Sequence, residues 1–199
     1  MFLVVGQGNP GPQYARTKHN VGFWVLDRLS AGFRPKGKAL LAEVAFAGLT
    51  GEEVRGLLVK PTTYYNASGE VVAPLARFYR VPLERILVVH DELDLPPGRL
   101  RFKAGGSSAG NYGLASIAAH LGSQDFHRLR IGIGKPPSPE AGAEWVLSGF
   151  SPELLPLVER VVGVAAEAVR VWATEGLEAA QQRYNGLDLA RELAPRPAE

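Results

Sequence analysis

Short apolar runs alternate along the chain with sets of apolar residues at helical spacing. Phe2–Val5 is a continuous apolar run closed by Gly6, the pattern of a buried strand. Val21–Leu29 carries apolar side chains at positions 21, 24, 25, 26 and 29, which predicts a helix. Glu43–Leu49 and Glu53–Lys60 flank Thr50-Gly51-Glu52, the outline of a hairpin. Gly69–Tyr79 reads as a helix ended before Pro82, Ile86–Val89 as a second buried strand, and Leu95-Pro96-Pro97-Gly98 as a turn. Leu100–Lys103 alternates apolar and basic residues, as a half-exposed strand does. Gly105–Gly113 is a loop by composition, Leu114–Leu121 a helix, and Leu129–Ile133 a third apolar strand. Glu153–Thr174 is a long amphipathic helix and Leu177–Tyr184 a shorter one. Strands interleaved with helices predict an α/β fold: a three-layer sandwich with a central mixed, mostly parallel sheet and helices on both faces. No internal repeat or linker interrupts the pattern, so residues 1–186 are expected to form one domain. Residues 187–199, with their charges and prolines, are expected to fray.

Composition narrows this picture. A chain of 199 residues, 46% of them hydrophobic, is large enough for a sizeable core. With no cysteine, disulfides, thiolate metal sites and cysteine nucleophiles are excluded. No stretch approaches the ~18 consecutive apolar residues of a membrane span. Met1 leads directly into Phe2–Val5 without a basic, apolar and cleavable leader, so a cytoplasmic protein is expected. The charge of +2 and pI near 9.0 say little about partners on their own.

Gly6-Gln7-Gly8-Asn9-Pro10-Gly11 follows a strand and matches the dinucleotide-binding spacing G-x-G-x-x-G. Its context does not: Pro10 and Pro12 hold an irregular turn, helical spacing starts only near Val21, and Asp27 sits inside the first helix. A tight turn explains the glycines but not Asn9. Of the four histidines, His120 and His127 read as surface or packing residues. His19, in Thr17-Lys18-His19-Asn20 just before a helix, is either a cap or surface residue or a base working near neutral pH. A base of this kind gains from a carboxylate that fixes its tautomer. His90-Asp91-Glu92-Leu93-Asp94 supplies acids where a buried strand emerges; a solvated acidic turn and a metal cluster are the other readings. Lys60 to Gly69 leaves another strand through a polar, aromatic turn, in which Asn66 or Ser68 serves as a helix cap or Asn66 as an amide for a carbonyl. Asn9, Asn66 and Asp91 thus converge on one rim.

Five segments in order resemble the bacterial-type peptidyl-tRNA hydrolases: Gly8-Asn9-Pro10-Gly11; Tyr14 with Thr17-Lys18-His19-Asn20; Pro61 to Gly69; His90 to Gly98; and Phe126 to Gly134. The resemblance implies hydrolysis of the ester between peptide and tRNA in N-blocked peptidyl-tRNA, which recycles tRNA from stalled or aborted translation. His19 is then the general base and Asp91 its orienting carboxylate, with Asn9 in the same catalytic set. Asn9 and Asn66 hold the peptide and help separate N-blocked from free-amine substrates; Tyr14 and Tyr64 line the nucleotide and peptide site. Asn20, Asn111 and Tyr112 join the binding set, and Lys103 and Arg130 match positions that grip the 5′ phosphate end of the acceptor stem. The resemblance implies a monomer that needs neither metal nor cofactor.

One segment departs from the family pattern. The family ends the glycine-rich loop in Gly-Gly-His-Asn-Gly, whereas this chain has Ala109-Gly110-Asn111-Tyr112-Gly113. Asn111 cannot be a cation at pH 7, and Tyr112 offers stacking in place of an amide. Tyr65, where many members have Met, is a milder change. Two rivals follow: an RNA-binding module on the same fold without hydrolysis, and an unrelated hydrolase of small esters.

Overall fold

The apolar run at the N-terminus forms strand β1 (Phe2–Gly6), central in the sheet of a computed structural model that describes residues 1–193. The other strands are β2 (Arg34–Lys36), β3 (Ala39–Ala47), β4 (Glu53–Pro61), β5 (Ile86–Glu92), β6 (Leu100–Ala104) and β7 (His127–Gly132). Their order is β2-β3-β4-β1-β5-β7-β6. The inner strands β4, β1, β5 and β7 run parallel, and antiparallel pairs complete both sides. Every residue of β1 is buried, because helices cover both faces.

On one face lie α1 (Val21–Asp27), α5 (Leu155–Glu175), α6 (Leu177–Tyr184) and α7 (Leu189–Leu193). The other face carries α2 (Gly69–Phe78) and α3 (Tyr112–Leu121). The three-layer α/β sandwich expected from the sequence is therefore present, and the apolar face of α5 packs on the core through Val161, Val169 and Trp172. The outer edge of β6 is closed by a side chain: Asn185 Oδ1 accepts from the Phe102 amide at 2.7 Å and Asn185 Nδ2 donates to the Phe102 carbonyl at 3.1 Å. That amide takes the place of another strand at an exposed edge.

Several boundaries differ from the sequence pattern. β5 runs past Val89 through His90 and Asp91 to Glu92, because these residues pair with Arg130, Ile131 and Gly132 of β7. α3 starts two residues before Leu114, since Asn111 Oδ1 caps the Leu114 amide at 3.0 Å. β2 and the short helix α4 (Gly142–Val146) had no periodic signal. Within the segment expected to fray, Leu189 is buried and its amide donates to the Gly98 carbonyl at 3.0 Å, which seats α7; residues 194–199 lie outside the described residues.

The parallel strands end on one edge. The chain leaves β1 toward α1 on one face and β4 toward α2 on the other. A crevice opens where neighbouring connections diverge in this way, and ligands bind there in open α/β sheets.

Candidate active site

The site begins with the placement of α1. An added Cβ at Gly22 would lie 2.6 Å from Gln7 N and closer still to the Val89 carbonyl. Only a glycine lets the start of α1 rest directly on the ends of β1 and β5. The turn before it, Lys18–Asn20, is thereby pressed against both strand ends. His19 Nδ1 meets Asp91 Oδ2 at 2.8 Å. With Asp91 ionised, Nδ1 carries the donated hydrogen and the Nε2 lone pair is left for the cleft. Asp91 is 5% exposed, so this is no solvated acidic turn.

Asp91 Oδ1 accepts a second hydrogen bond, from the Tyr65 hydroxyl at 2.7 Å, and the Tyr65 hydroxyl oxygen in turn accepts from Asn111 Nδ2 at 2.8 Å. The Tyr65 ring lies flat on the His19 imidazole, with centroids 3.5 Å apart and planes 7° from parallel. Burial, then the neighbouring Asp91 charge, pushes the Tyr65 phenol well above its ordinary value, so it remains a donor.

Asn9 Oδ1 accepts from the Tyr65 amide at 2.7 Å, and Asn9 Nδ2 has no partner among the described residues. Asn20 is buried, and both ends of its side-chain amide hold the Asn9 backbone, at 2.9 and 3.0 Å. Asn20, expected at the substrate, therefore stands behind Asn9 and bears on substrate only through it. Asn66 and Tyr64 are exposed on the cleft wall. Tyr64 holds φ at 71°, a left-handed backbone unusual outside glycine, and its ring meets Tyr14 edge-on at 6.4 Å. Ser68 occupies the N-cap position of α2, but its hydroxyl donates to the Tyr65 carbonyl, and neither its side chain nor that of Asn66 caps the helix.

Residues 108–112 form the opposite rim of a cleft of 720 Å³, with Tyr112 70% exposed. Arg128 holds the base of that loop, donating to Ser107 O at 2.8 Å and to Gly106 O at 2.6 Å. The remaining wall is α4 with its flanks, including Pro139, Ala143, Val146 and Leu147. Lys18 fixes it: the buried ammonium donates to Ser148 Oγ and Gly149 O, both at 2.8 Å, and lies 3.8 Å from the centre of the Trp145 ring. Burial lowers the pKa of Lys18 from the usual lysine value.

Lys103 and Arg130 stand apart from the cleft lining, on β6 and β7. Strand alternation puts Arg101, Lys103, Arg128 and Arg130 on one face, opposite Leu100, Phe102, Leu129 and Ile131. Arg130 Nε donates to Glu92 Oε1 at 2.7 Å. The acids of 90–94 are dispersed: Asp91 serves His19, Glu92 serves Arg130, and Asp94 lies 3.8 Å from Lys135. Among the described residues no group of His, Asp or Glu is arranged to hold a metal. Sequence reasoning assigned no role to Tyr65, Lys18, Arg128 or Gly22. A lysine beside a histidine in a polar run reads as solvated, and nothing local predicts its burial under Trp145.

Comparison with known proteins shows the family and the fold. The sequence profile of the peptidyl-tRNA hydrolase family matches residues 3–192. A peptidyl-tRNA hydrolase of Thermus thermophilus is 63% identical over 190 residues, covering 96% of this chain and 99% of that protein. One of Synechococcus is 47% identical, covering 94% and 84%. The crystal structure of the Acinetobacter baumannii peptidyl-tRNA hydrolase superposes with a TM-score of 0.85 at 35% identity, covering 94% of this chain and 96% of that one.

Proposed function

The chain belongs to the peptidyl-tRNA hydrolase family, and on that premise we propose that His19, oriented by Asp91, is the base with which it works. It hydrolyses the ester between peptide and tRNA. The observation that carries the assignment is the 2.8 Å contact of His19 Nδ1 with Asp91 Oδ2, which leaves Nε2 as the basic atom at the cleft.

His19 Nε2 takes a proton from water as the water oxygen attacks the ester carbonyl carbon. Asp91 stabilises the imidazolium that forms. The developing oxyanion is met by Asn66 or an N–H of the 105–113 loop; removing one such donor costs about 10²–10³ in rate. The tetrahedral intermediate collapses with loss of the carbon–oxygen bond to the ribose. The departing oxygen recovers the proton from imidazolium, giving a peptide acid and a free terminal hydroxyl.

Asn9 Nδ2 and Asn66 hold peptide carbonyls, which favours a chain blocked at its amine over a free aminoacyl group. Tyr14, Tyr64 and Tyr112 supply ring faces to the terminal nucleotide and the peptide. Lys103 and Arg130 take phosphates of the acceptor stem, positioning tRNA without reading its sequence. One domain over residues 1–186 acting as a cytoplasmic monomer fits a site whose parts all come from one chain. Among the described residues no helix is long and apolar enough to cross a membrane.

The test is single-turnover release of peptide from N-acetyl-aminoacyl-tRNA, with unblocked aminoacyl-tRNA as control. His19→Ala is expected to lower the rate by about 10²–10⁴. Near-normal turnover in that variant would remove His19 from the mechanism, and tRNA binding without cleavage by the native chain would turn the reading toward a binding module.

A further inference from the structure

Two of the positions that part from the family pattern near the site, Tyr65 and Asn111, are hydrogen-bonded to each other, and Tyr65 in turn to the catalytic carboxylate. We propose that they form a positioning relay, Asn111 to Tyr65 to Asp91, through which the 105–113 loop sets the orientation of the His19–Asp91 pair. The proposal rests on the base assignment above and adds residues that act through it.

A carboxylate held at one oxygen still pivots about its terminal torsion. Asp91 is held at both, Oδ2 by His19 and Oδ1 by the Tyr65 hydroxyl. The Tyr65 ring, stacked on the imidazole, fixes the plane in which Nε2 points. Tyr65 is itself immobilised: its amide donates to Asn9 Oδ1, Ser68 Oγ donates to its carbonyl at 2.6 Å, and an added Cβ at Gly113 would fall 2.6 Å from its ring.

Asn111 connects this arrangement to the loop. Its Oδ1 caps α3 while its Nδ2 donates to Tyr65, so the amide cannot turn without losing both bonds. Before it stand Ala109 and Gly110 at φ of 48° and 83°, a tight backbone that carries the chain back over the cleft. After it stands Tyr112, exposed at the rim. Substrate that seats against Tyr112 therefore bears on the residue next to the one that holds Tyr65. Ordering of the loop and alignment of the base are then a single event, and the rate of the bound complex, rather than its affinity, carries the effect.

The experiment measures single-turnover hydrolysis of N-acetyl-phenylalanyl-tRNA by the full chain and by Tyr65→Phe, Asn111→Ala, the double variant, His19→Ala, and His19→Ala with Tyr65→Phe. Thermal melts of each accompany the rates. Tyr65→Phe keeps the stacked ring and removes only the hydroxyl. Each single variant is expected to lower the saturating rate about tenfold, the scale of a lost hydrogen bond to a charged group, with half-saturating concentration changed by less than about twofold. The double variant should be no slower than the slower single one, since both cut the same relay. In the His19→Ala background Tyr65→Phe should have no further effect. Multiplicative losses in the double variant, or a full Tyr65→Phe effect without His19, would overturn the relay while leaving the base assignment standing. Near-normal turnover by His19→Ala would instead remove the base, and the relay with it. Should Tyr65→Phe melt below the assay temperature, Asn111→Ala with an unchanged saturating rate is by itself enough to overturn the proposal.

Discussion

The Nδ1 hydrogen of His90 is committed to the carbonyl of Asp91, 2.8 Å away, which leaves Nε2 buried without a partner among the described residues. His90 and Asp91 are neighbours on one strand and alternate in face, His90 on the side of α2 and α3 and Asp91 on the side of α1, and both line the cleft. Burial lowers the pKa of His90, and of His127, whose Nδ1 accepts from Trp172 Nε1 at 2.9 Å. Both rings stay neutral in the folded protein at pH values where the unfolded chain, titrating near ~6.5, already binds protons. Their contribution to stability is therefore fully present above that pH and is lost as pH falls toward the depressed folded values. Denaturation midpoints at pH 7.5 and 5.5 should differ, and His90→Asn, which retains an N–H donor, should make the difference smaller. An unchanged difference would mean that the acid sensitivity lies elsewhere. Tyr64 shows the converse economy: its left-handed backbone is strained, yet its ring is what the cleft wall presents.

At the scale of elements, the contact of α1 with the strand ends is the most sensitive to a single methyl. Gly22→Ala is expected to push the Lys18–Asn20 turn away from Gln7 and Val89. The change should destabilise the fold by about 1–3 kcal/mol, the usual cost of overpacking, and should lower kcat by more than an equally destabilising change elsewhere, because His19 moves relative to Asp91. A melting shift with kcat intact would show the turn to be independent of α1. Elements of this kind were readable from sequence where periodicity is strong: Leu177–Tyr184 matches end to end, and Phe2–Gly6 and Val21–Asp27 nearly so. His19 and Asp91 were readable because residue chemistry and strand ends point the same way. β2, α4 and the last residues of β5 were not, since three to five residues carry no period, and the partners of α4 and of the end of β5 lie far along the chain. The roles of Lys18, Asn20 and Arg128 depend on carbonyls, rings and amides supplied by other segments, which no local pattern encodes.

On the reading proposed above, the whole molecule divides its work: chemistry belongs to the crevice above β1, β4 and β5, and electrostatic grip on tRNA to the basic face of β6 and β7. Binding should therefore weaken with salt, as counterions compete for phosphates. Lys103→Ala should make log KM less steep against log salt by about one unit of slope, with the saturating rate near that of the native chain. A slope that does not change would separate Lys103 from the phosphates. The same edge of the sheet has a consequence for synthesis. β6 is made before β7 yet lies outside it, paired only with β7. A nascent chain that has not yet reached His127 carries β6 with no neighbour and β5, the strand of Asp91, with one flank open. The last parallel strand must slide into a gap between strands already made, a non-local closure of the slow and aggregation-exposed kind. A newborn peptidyl-tRNA hydrolase of this build is thus itself incomplete, its proposed base not yet set in place, until its own translation has passed that strand.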